Sequence, residues 1–390
     1  MDTMYLDTLE RQVKNNELFE NIFEQVVSIL TSFICFQREE EPIVLANYVV
    51  STYFYNAFQF TPYIHINSPD FQCGKSTLLD ILYELCYNSM KSANISSAIH
   101  RFTDYQKGTL LLDEMDRYDN EERREMVGIL NSGFSKRGGK THRLVGNSHQ
   151  TQEFDTYCPK VFCSIGSEAI NPTLVDRSIP IALDRATPEQ LKETEMFIWT
   201  PTLEDRFDAI SMQLENLAQE VDEENNPFFD IQDYLTSIAI MKATNPNARA
   251  IDITAPLLTI ACLGNLEWAT ESLNAFNVLT SRDTVAMSVP RQLLGLCYEI
   301  FEQTTEDKIF TRDLADKINF FEDSQFASWN RGNGINPSQV TKNLKDFVGT
   351  SKDIRIGSNN GKGFYWNDFI PAFDKHIPRD VPNQSKVDNE

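Results

Sequence analysis

The chain has no run of uncharged apolar residues long enough to cross a bilayer. Its best apolar stretch, residues 26–36, falls well short of the roughly 20 residues a spanning helix needs and carries Ser28, Thr31 and Ser32. No membrane span is therefore expected. The opening MDTMYLDTLE is acidic and lacks a basic-then-apolar leader, so no secretory signal is expected either. The seven cysteines include no CxxC pair, and the nearest two, Cys158 and Cys163, have no histidine partners at ligand spacing. That pattern favours free thiols in a reducing cytoplasm over zinc or disulfides. There is no internal repeat and no low-complexity segment.

Basic side chains are also scarce: 35 Lys and Arg stand against 57 Asp and Glu, a formal charge of −22. By itself that balance speaks against a nucleic-acid partner. Its distribution softens the point. Thirteen acids fall between Thr187 and Leu235, against only Lys192 and Arg206. Much of the acidity is thus local, and other segments are neutral or basic.

What is present is ample core material: 41% hydrophobic residues, with 26 Phe and 13 Tyr. A length of 390 residues fits two or three domains. Up to residue 36 the apolar positions Leu18, Ile22, Phe23, Val26, Val27 and Leu30 recur at helical spacing. Glu41-Pro42 breaks that pattern, and residues 43–58 resume as a largely apolar helix. Pro62 to Asn67 reads as a buried strand, residues 76–86 as a helix, and 108–112 as a strand ending on two acids. A charged helix over 121–130 and short strands at 160–165 and 178–183 follow. Strands alternating with helices predict an α/β fold with a parallel sheet core. From Pro188 to about Phe301 only helical patterns appear. The last hundred residues read as helix, helix and a hairpin around Asn360-Gly361. The expected divisions are a helical segment over 1–41, a sheet core over 42–187, a helical lid over 188–302, a small domain over 303–378, and a polar tail.

The segment Ser68-Pro69-Asp70-Phe71-Gln72-Cys73-Gly74-Lys75-Ser76-Thr77 follows the first strand and opens a helix, the context a phosphate-binding loop requires. Backbone N–H groups and the helix dipole hold phosphate oxygens there. Gly74 lets the chain curl close, Lys75 places a charge on the β- and γ-oxygens, and the Ser76 hydroxyl ligates Mg²⁺. Pro69 stands where the first glycine of the consensus is usual. Some 35 residues on, Leu110-Leu111-Leu112 carries Asp113 and Glu114 to the strand's end. Asp113 is expected to hold magnesium through water, and Glu114 to deprotonate the attacking water. Two acids merely ending a strand is the competing reading, and Asp116 is taken as a solvated neighbour. ATP and Mg²⁺ are the expected ligands.

Later residues fit a ring-forming ATPase with alternatives open. Ser164 ends a strand and either meets the γ-phosphate or its water, or is a plain strand-end serine. Arg177 either reaches a neighbouring subunit's nucleotide or pairs with Asp176, and Arg185 is the alternative finger. Arg249 either senses the nucleotide from the lid or is a solvated helix-start arginine.

Lys136, Arg137, Lys140 and Arg143 occur without an intervening acid, around the turn Gly138-Gly139. Residues 142–146 and 152–156 can pair as a hairpin. In a ring this insert faces the pore and gives sequence-independent contacts to DNA phosphates. A solvated basic loop, or one binding the next subunit, is the other reading. In the C-terminal domain a helix over 338–347 bears Gln339, Lys342, Asn343 and Lys345, and the hairpin adds Lys352, Arg355 and Lys362. This suits a winged helix, which docks DNA or protein.

Together these residues resemble the P-loop, AAA+-like ATPase domain family of mobile genetic elements, phages and plasmids. That family is catalogued as a domain of unknown function and often fused to primase-like domains. The matching stretches run from YIHINSPDFQCGKSTLL at residues 63–79 through LLDEMD at 111–116, LNSGF at 130–134, FDTYCPK at 154–160 and LVDRSIPI at 174–181. They continue with AIDITAPLLTIA at 250–261 and GFYWNDF at 363–369. The family also reads Ser-Pro and Cys-Gly-Lys in the loop, so Pro69 is a family trait. The resemblance extends over residues 41–378. It implies an ATPase core with a lid and a C-terminal winged helix. No primase half is expected in this chain, so a separate primase or effector is the expected partner. The expectation is a cytoplasmic homo-oligomer, a hexameric ring being one form. It hydrolyses ATP on DNA as a helicase or loader in mobile-element replication, or alternatively switches or remodels a protein partner in a defence or regulatory complex.

Overall fold

The computed structural model describes residues 3–92, 99, 102–113, 115, 127–145, 150–165, 170–221, 225–245, 247–281, 289–304, 306–321, 326 and 329–376. The chain divides into two compact units, residues 1–285 and 286–390.

The first unit is built on a parallel sheet. Its strands are β1 (Tyr63–Ser68), β2 (Met90–Ser92), β3 (Leu110–Leu112), β6 (Lys160–Ile165) and β7 (Ser178–Ala182). The spatial order is β2-β3-β6-β1-β7, and every pairing is parallel. The central strands are buried almost throughout, as near-continuous apolar runs covered on both faces must be. After β1 the chain crosses to the far side of the sheet, works back through β3 to β6, and then places β7 on β1's other side. The order reverses beside β1, the position where open α/β sheets leave a crevice at the strands' C-terminal ends. Between β3 and β6 a separate antiparallel pair forms from β4 (Lys140–Val145) and β5 (Gln150–Asp155).

Helices enclose the sheet. Among them α1 (Thr3–Gln12), α2 (Glu17–Phe33), α3 (Glu40–Phe54) and α4 (Lys75–Leu85) come first in the chain. α2 is amphipathic and buries Phe19, Ile22, Phe23, Val26, Ile29 and Leu30. α3 is buried on every side from Val44 to Phe54, which its apolar composition requires. Pro42, which breaks the pattern in sequence, lies inside the first turn of α3, where a proline is tolerated because its missing N–H has no helical partner. Glu41 in the same turn is buried. Its carboxylate accepts from the N–H groups of Gln37, Arg38 and Ala182, tying the helix start to the end of β7. Burial pushes Glu41 above the usual carboxylate range, against those three hydrogen bonds. Four further helices, Pro201–Gln219, Ile231–Thr244, Ala248–Ala261 and Leu266–Leu279, share one continuous core with the sheet and α2–α3.

The second unit has its own core, of Leu293, Leu294, Leu314, Ile318, Val340, Leu344, Phe364, Trp366 and Phe369 among others. Its strands β8 (Lys308–Phe310), β9 (Lys352–Ile356) and β10 (Asn359–Tyr365) form an antiparallel sheet of order β8-β10-β9. Helices Val289–Glu302, Thr311–Asn319 and Pro337–Val348 pack with it. Two expectations are corrected here. The helix Val289–Glu302, grouped by sequence with the lid, buries Leu293, Leu294, Cys297 and Ile300 in this second core. The hairpin turn is Gly357-Ser358, with Gly357 at φ +61°, and Asn360-Gly361 lies within β10.

Among the described residues no helix is long and apolar enough to cross a membrane.

Candidate functional site

The loop between β1 and α4 and the C-terminal ends of β3 and β6 enclose a cleft of about 220 Å³. Phe71, Gln72, Cys73, Gly74, Lys75, Ser76, Thr77, Asp113, Cys163, Ser164 and Ile165 line it. That is smaller than the roughly 300–1,000 Å³ of a typical small-molecule pocket. The structure therefore brings together residues 71–77, Asp113 and Ser164, which the sequence separates by almost a hundred positions, while Asp70, expected with them, does not line the cleft. Glu114 and Asp116 lie outside the described residues.

Local backbone explains the loop's shape. Gly74 sits at φ +85°, in the left-handed region that favours glycine, and caps the start of α4. Gln72 is also left-handed, at φ +62°. The nearest neighbour to a Cβ at Gly74 is Ile34 Cδ1 at 3.9 Å, so conformation and not crowding demands glycine there. The amides at the start of α4, with the helix dipole behind them, face the cleft and suit an anion.

Asp70 organises the loop's side chains. Its backbone carbonyl accepts from Lys75 Nζ at 3.1 Å, Ser68 Oγ at 2.6 Å and Cys73 Sγ at 3.3 Å. Lys75 Nζ also donates to Ser68 Oγ. One carboxylate oxygen of Asp70 accepts from the Phe71 N–H at 2.7 Å. The other meets Arg185 Nη2 at 2.9 Å. Arg185 Nε reaches the Phe71 carbonyl at 3.3 Å. Arg185, expected as an alternative finger toward a neighbour, thus stands at the loop of its own chain.

Ser164 Oγ lies 2.9 Å from Nε2 of His65, two positions along the same sheet face. His65 is 2% exposed and stacks on Phe162 with ring centroids 5.0 Å apart. Burial lowers its pKa from 6.5 to about 4, so the ring is neutral at ordinary pH. His65 and Ser68 escaped the sequence reading. Their signal was there, as polar residues in a strand buried on both faces, where each needs a partner.

Two arginines are not brought to this cleft. Arg177 precedes β7, and its carbonyl accepts from the N–H of Tyr63, the first residue of β1. Parallel strands put that position at the opposite end of the sheet from the loop, roughly 15–20 Å away along the strand. Arg177 donates to Thr173 O at 2.6 Å and lies 5.6 Å above the Phe134 ring. Arg249 lies 5.0 Å over the same ring and pairs with Asp176 and Asp252 at 3.2 and 2.9 Å. Arg249 is thus held at this end of the sheet, and it makes the pair with Asp176 that was the alternative reading for Arg177. Partial burial, and next the neighbouring Arg249, push Arg177 below the ordinary arginine value. A fully buried Lys160 completes this end of the sheet, donating to the carbonyls of Thr156, Cys158 and Gly133.

The predicted hairpin exists as β4–β5, with Lys140 opposite Asp155 and Arg143 opposite Gln152. Two of its lysines are engaged within the chain, one of them by an acid. Lys140 pairs with Glu153 at 2.6 Å, and Lys136 Nζ donates to the Asn56 carbonyl at 2.7 Å. Lys136 and Arg137 are exposed. In the second unit Lys352 pairs with Asp368 and Lys362 with Asp353, while Lys342 and Lys345 are exposed on the helix Pro337–Val348.

A family model described as a protein of unknown function (DUF3631) matches residues 229–376. That stretch takes in the last helices of the first unit and most of the second. It is narrower than the resemblance over 41–378, covers fewer than half of the 390 residues, and leaves the cleft outside. No curated protein matches the chain.

Proposed function

We propose that the chain is a P-loop ATPase of the AAA+ kind. The observation that carries the reading is the convergence of Lys75, Ser76 and Asp113 on one cleft at the sheet's switch point, with Ser164 on the strand between. The α4 amides and Lys75 would hold the β- and γ-phosphates of a nucleoside triphosphate. Ser76 and Asp113 offer hard oxygen donors of the kind Mg²⁺ takes, with phosphates completing its shell. Bound there, magnesium would neutralise charge building on the phosphates. Glu114, next after Asp113, would take the proton of the attacking water, and Ser164, braced by His65, would orient that water or the γ-phosphate. Arg177, remote from its own cleft, would complete the site of a neighbouring copy.

Lys75→Ala should lower ATP turnover by about a hundredfold or more, as removal of a transition-state charge partner does. Glu114→Gln should keep ATP binding and lose hydrolysis. Full turnover in Lys75→Ala, or wild-type protein that binds no MgATP, would sink the proposal.

DNA is the leading substrate of the motor, gripped by the β4–β5 hairpin and, in the second unit, by a winged helix presenting Lys342 and Lys345. ATPase stimulation by single-stranded DNA, lost in Lys136→Ala/Arg137→Ala and weakened by salt, is the test. The ion pairs that occupy Lys140, Lys352 and Lys362 favour a second reading, in which the partner is a protein and hydrolysis remodels it. Failure of any DNA to bind or stimulate, at any salt, would select that reading.

A further inference from the structure

The 69–76 loop, read above as a site for phosphates, carries a carboxylate of its own. Asp70 lies within that loop, and nothing about an anion site calls for an acid there. The structure gives this acid a specific counter-charge. Arg185, just beyond β7, reaches across to Asp70 at 2.9 Å and to the carbonyl of Phe71 at 3.3 Å, so it grips two consecutive residues of the loop. The approach is held from behind. Leu183 N–H donates to Asn67 O at 2.9 Å at the end of β1, and the Asp184 carboxylate accepts from the Arg185 N–H at 2.7 Å.

We infer that Arg185 is a positioning residue of its own chain's site: by neutralising and holding Asp70, it sets the loop's affinity for a nucleoside triphosphate. The inference rests on the nucleotide reading. Its physical basis is a difference in setting. An ion pair this exposed, at 58% and 54% side-chain exposure, contributes little to folding. The same carboxylate left without its partner would stand next to the cleft-lining Phe71 as a negative charge opposing an anionic ligand, within the range that salt screens only in part. A triphosphate carries several charges, so the pair bears on ligand binding more than on stability. Asp70 also presents its carbonyl to Lys75, so letting Asp70 swing away would disturb the lysine as well as the charge.

The test is a cycle of MgATP dissociation constants for the full chain, with Lys75→Ala as the control that reports on the site itself. Arg185→Gln should weaken MgATP about tenfold, and Asp70→Asn should tighten it by about threefold. The double variant should return to within about threefold of wild type, because the repulsive charge has gone with its partner. Melting temperatures of all three should stay close to wild type. An unchanged dissociation constant for Arg185→Gln, with Lys75→Ala binding lost, would overturn this inference while leaving the nucleotide reading standing. A loss in Arg185→Gln that Asp70→Asn does not rescue would also overturn it, since Arg185 would then act on the nucleotide directly. Wild-type protein that binds no MgATP would remove both. A mixing experiment separates this role from that of a finger toward a neighbour. At MgATP well below the Arg185→Gln dissociation constant, Arg185→Gln and Lys75→Ala each damage their own chain's site, so mixing them should restore no turnover. Restored turnover would place Arg185 in its neighbour's site and refute the inference.

Discussion

His65 shows how much can hang on one buried ring. It lies in the middle of β1 and meets Ser164 at 2.9 Å, and burial holds its pKa at about 4 against 6.5 for a free histidine. Between those values the unfolded chain binds a proton that the folded chain refuses, so stability falls as pH drops from 6.5 to 4 and is unaffected above that window. Fully developed, the penalty is about 3 kcal/mol. Urea denaturation should therefore show wild type losing about 3 kcal/mol more than His65→Gln between pH 7 and pH 4. Equal losses would mean that the ring is protonated in the fold. At this scale legibility followed distance along the chain. Gly74, Lys75 and Ser76 announce themselves because a strand, a turn and a helix start are all local. His65 with Ser164, and Asp70 with Arg185, are separated by about a hundred residues, and no local pattern couples them.

At the scale of elements, the parallel sheet and most of its strands were legible because each is a short run rich in aliphatic side chains, and β2, the half-exposed Met90-Lys91-Ser92, was not. The hairpin of the second unit was legible in existence but not in register. The sequence signal Asn360-Gly361 lies inside β10, where its glycines serve close packing. A Cβ at Gly363 would lie 2.3 Å from the Ile309 carbonyl, and one at Gly361 would lie 3.1 Å from the Phe310 ring. The turn itself needs a left-handed first residue, and Gly357 supplies it. Gly357→Ala should cost the second unit about 1 kcal/mol, visible as a lowered melting temperature. A neutral result would return the turn to Asn360-Gly361. In the β4–β5 hairpin, the lysine that sequence counted as available is occupied by Glu153 across the strands, a pairing that only the register discloses. Glu153→Gln should release Lys140 and tighten single-stranded DNA binding by about threefold at low salt, with the gain vanishing as salt rises. An unchanged salt dependence would show that the hairpin does not touch the strand.

At the scale of the whole molecule, the first unit proved less divisible than its sequence suggested. The N-terminal helices, the sheet and the helices up to Leu279 share one core. The sequence marks the region from Pro188 as separate because only helical patterns follow there. Helical periodicity shows that an element has an apolar face and says nothing about which other face it meets. The domain boundary was misplaced for a related reason: the helix Val289–Glu302 continues a helical run in sequence while its buried face belongs to the second core.

Sheet polarity has one more consequence. The strands place the cleft at one end and Arg177, with Arg249, at the other, so a contact that joins the two must be head-to-tail, closing into a ring or growing into a filament. In such an assembly a defect in Arg177 is inherited by the neighbour. Neither Arg177→Ala nor Lys75→Ala chains alone then hold a complete site, but a mixture does, where the intact loop of one meets the intact arginine of the other. Mixing the two variants at graded ratios should therefore restore turnover, with a maximum near equal amounts. No recovery at any ratio would refute the contact through Arg177.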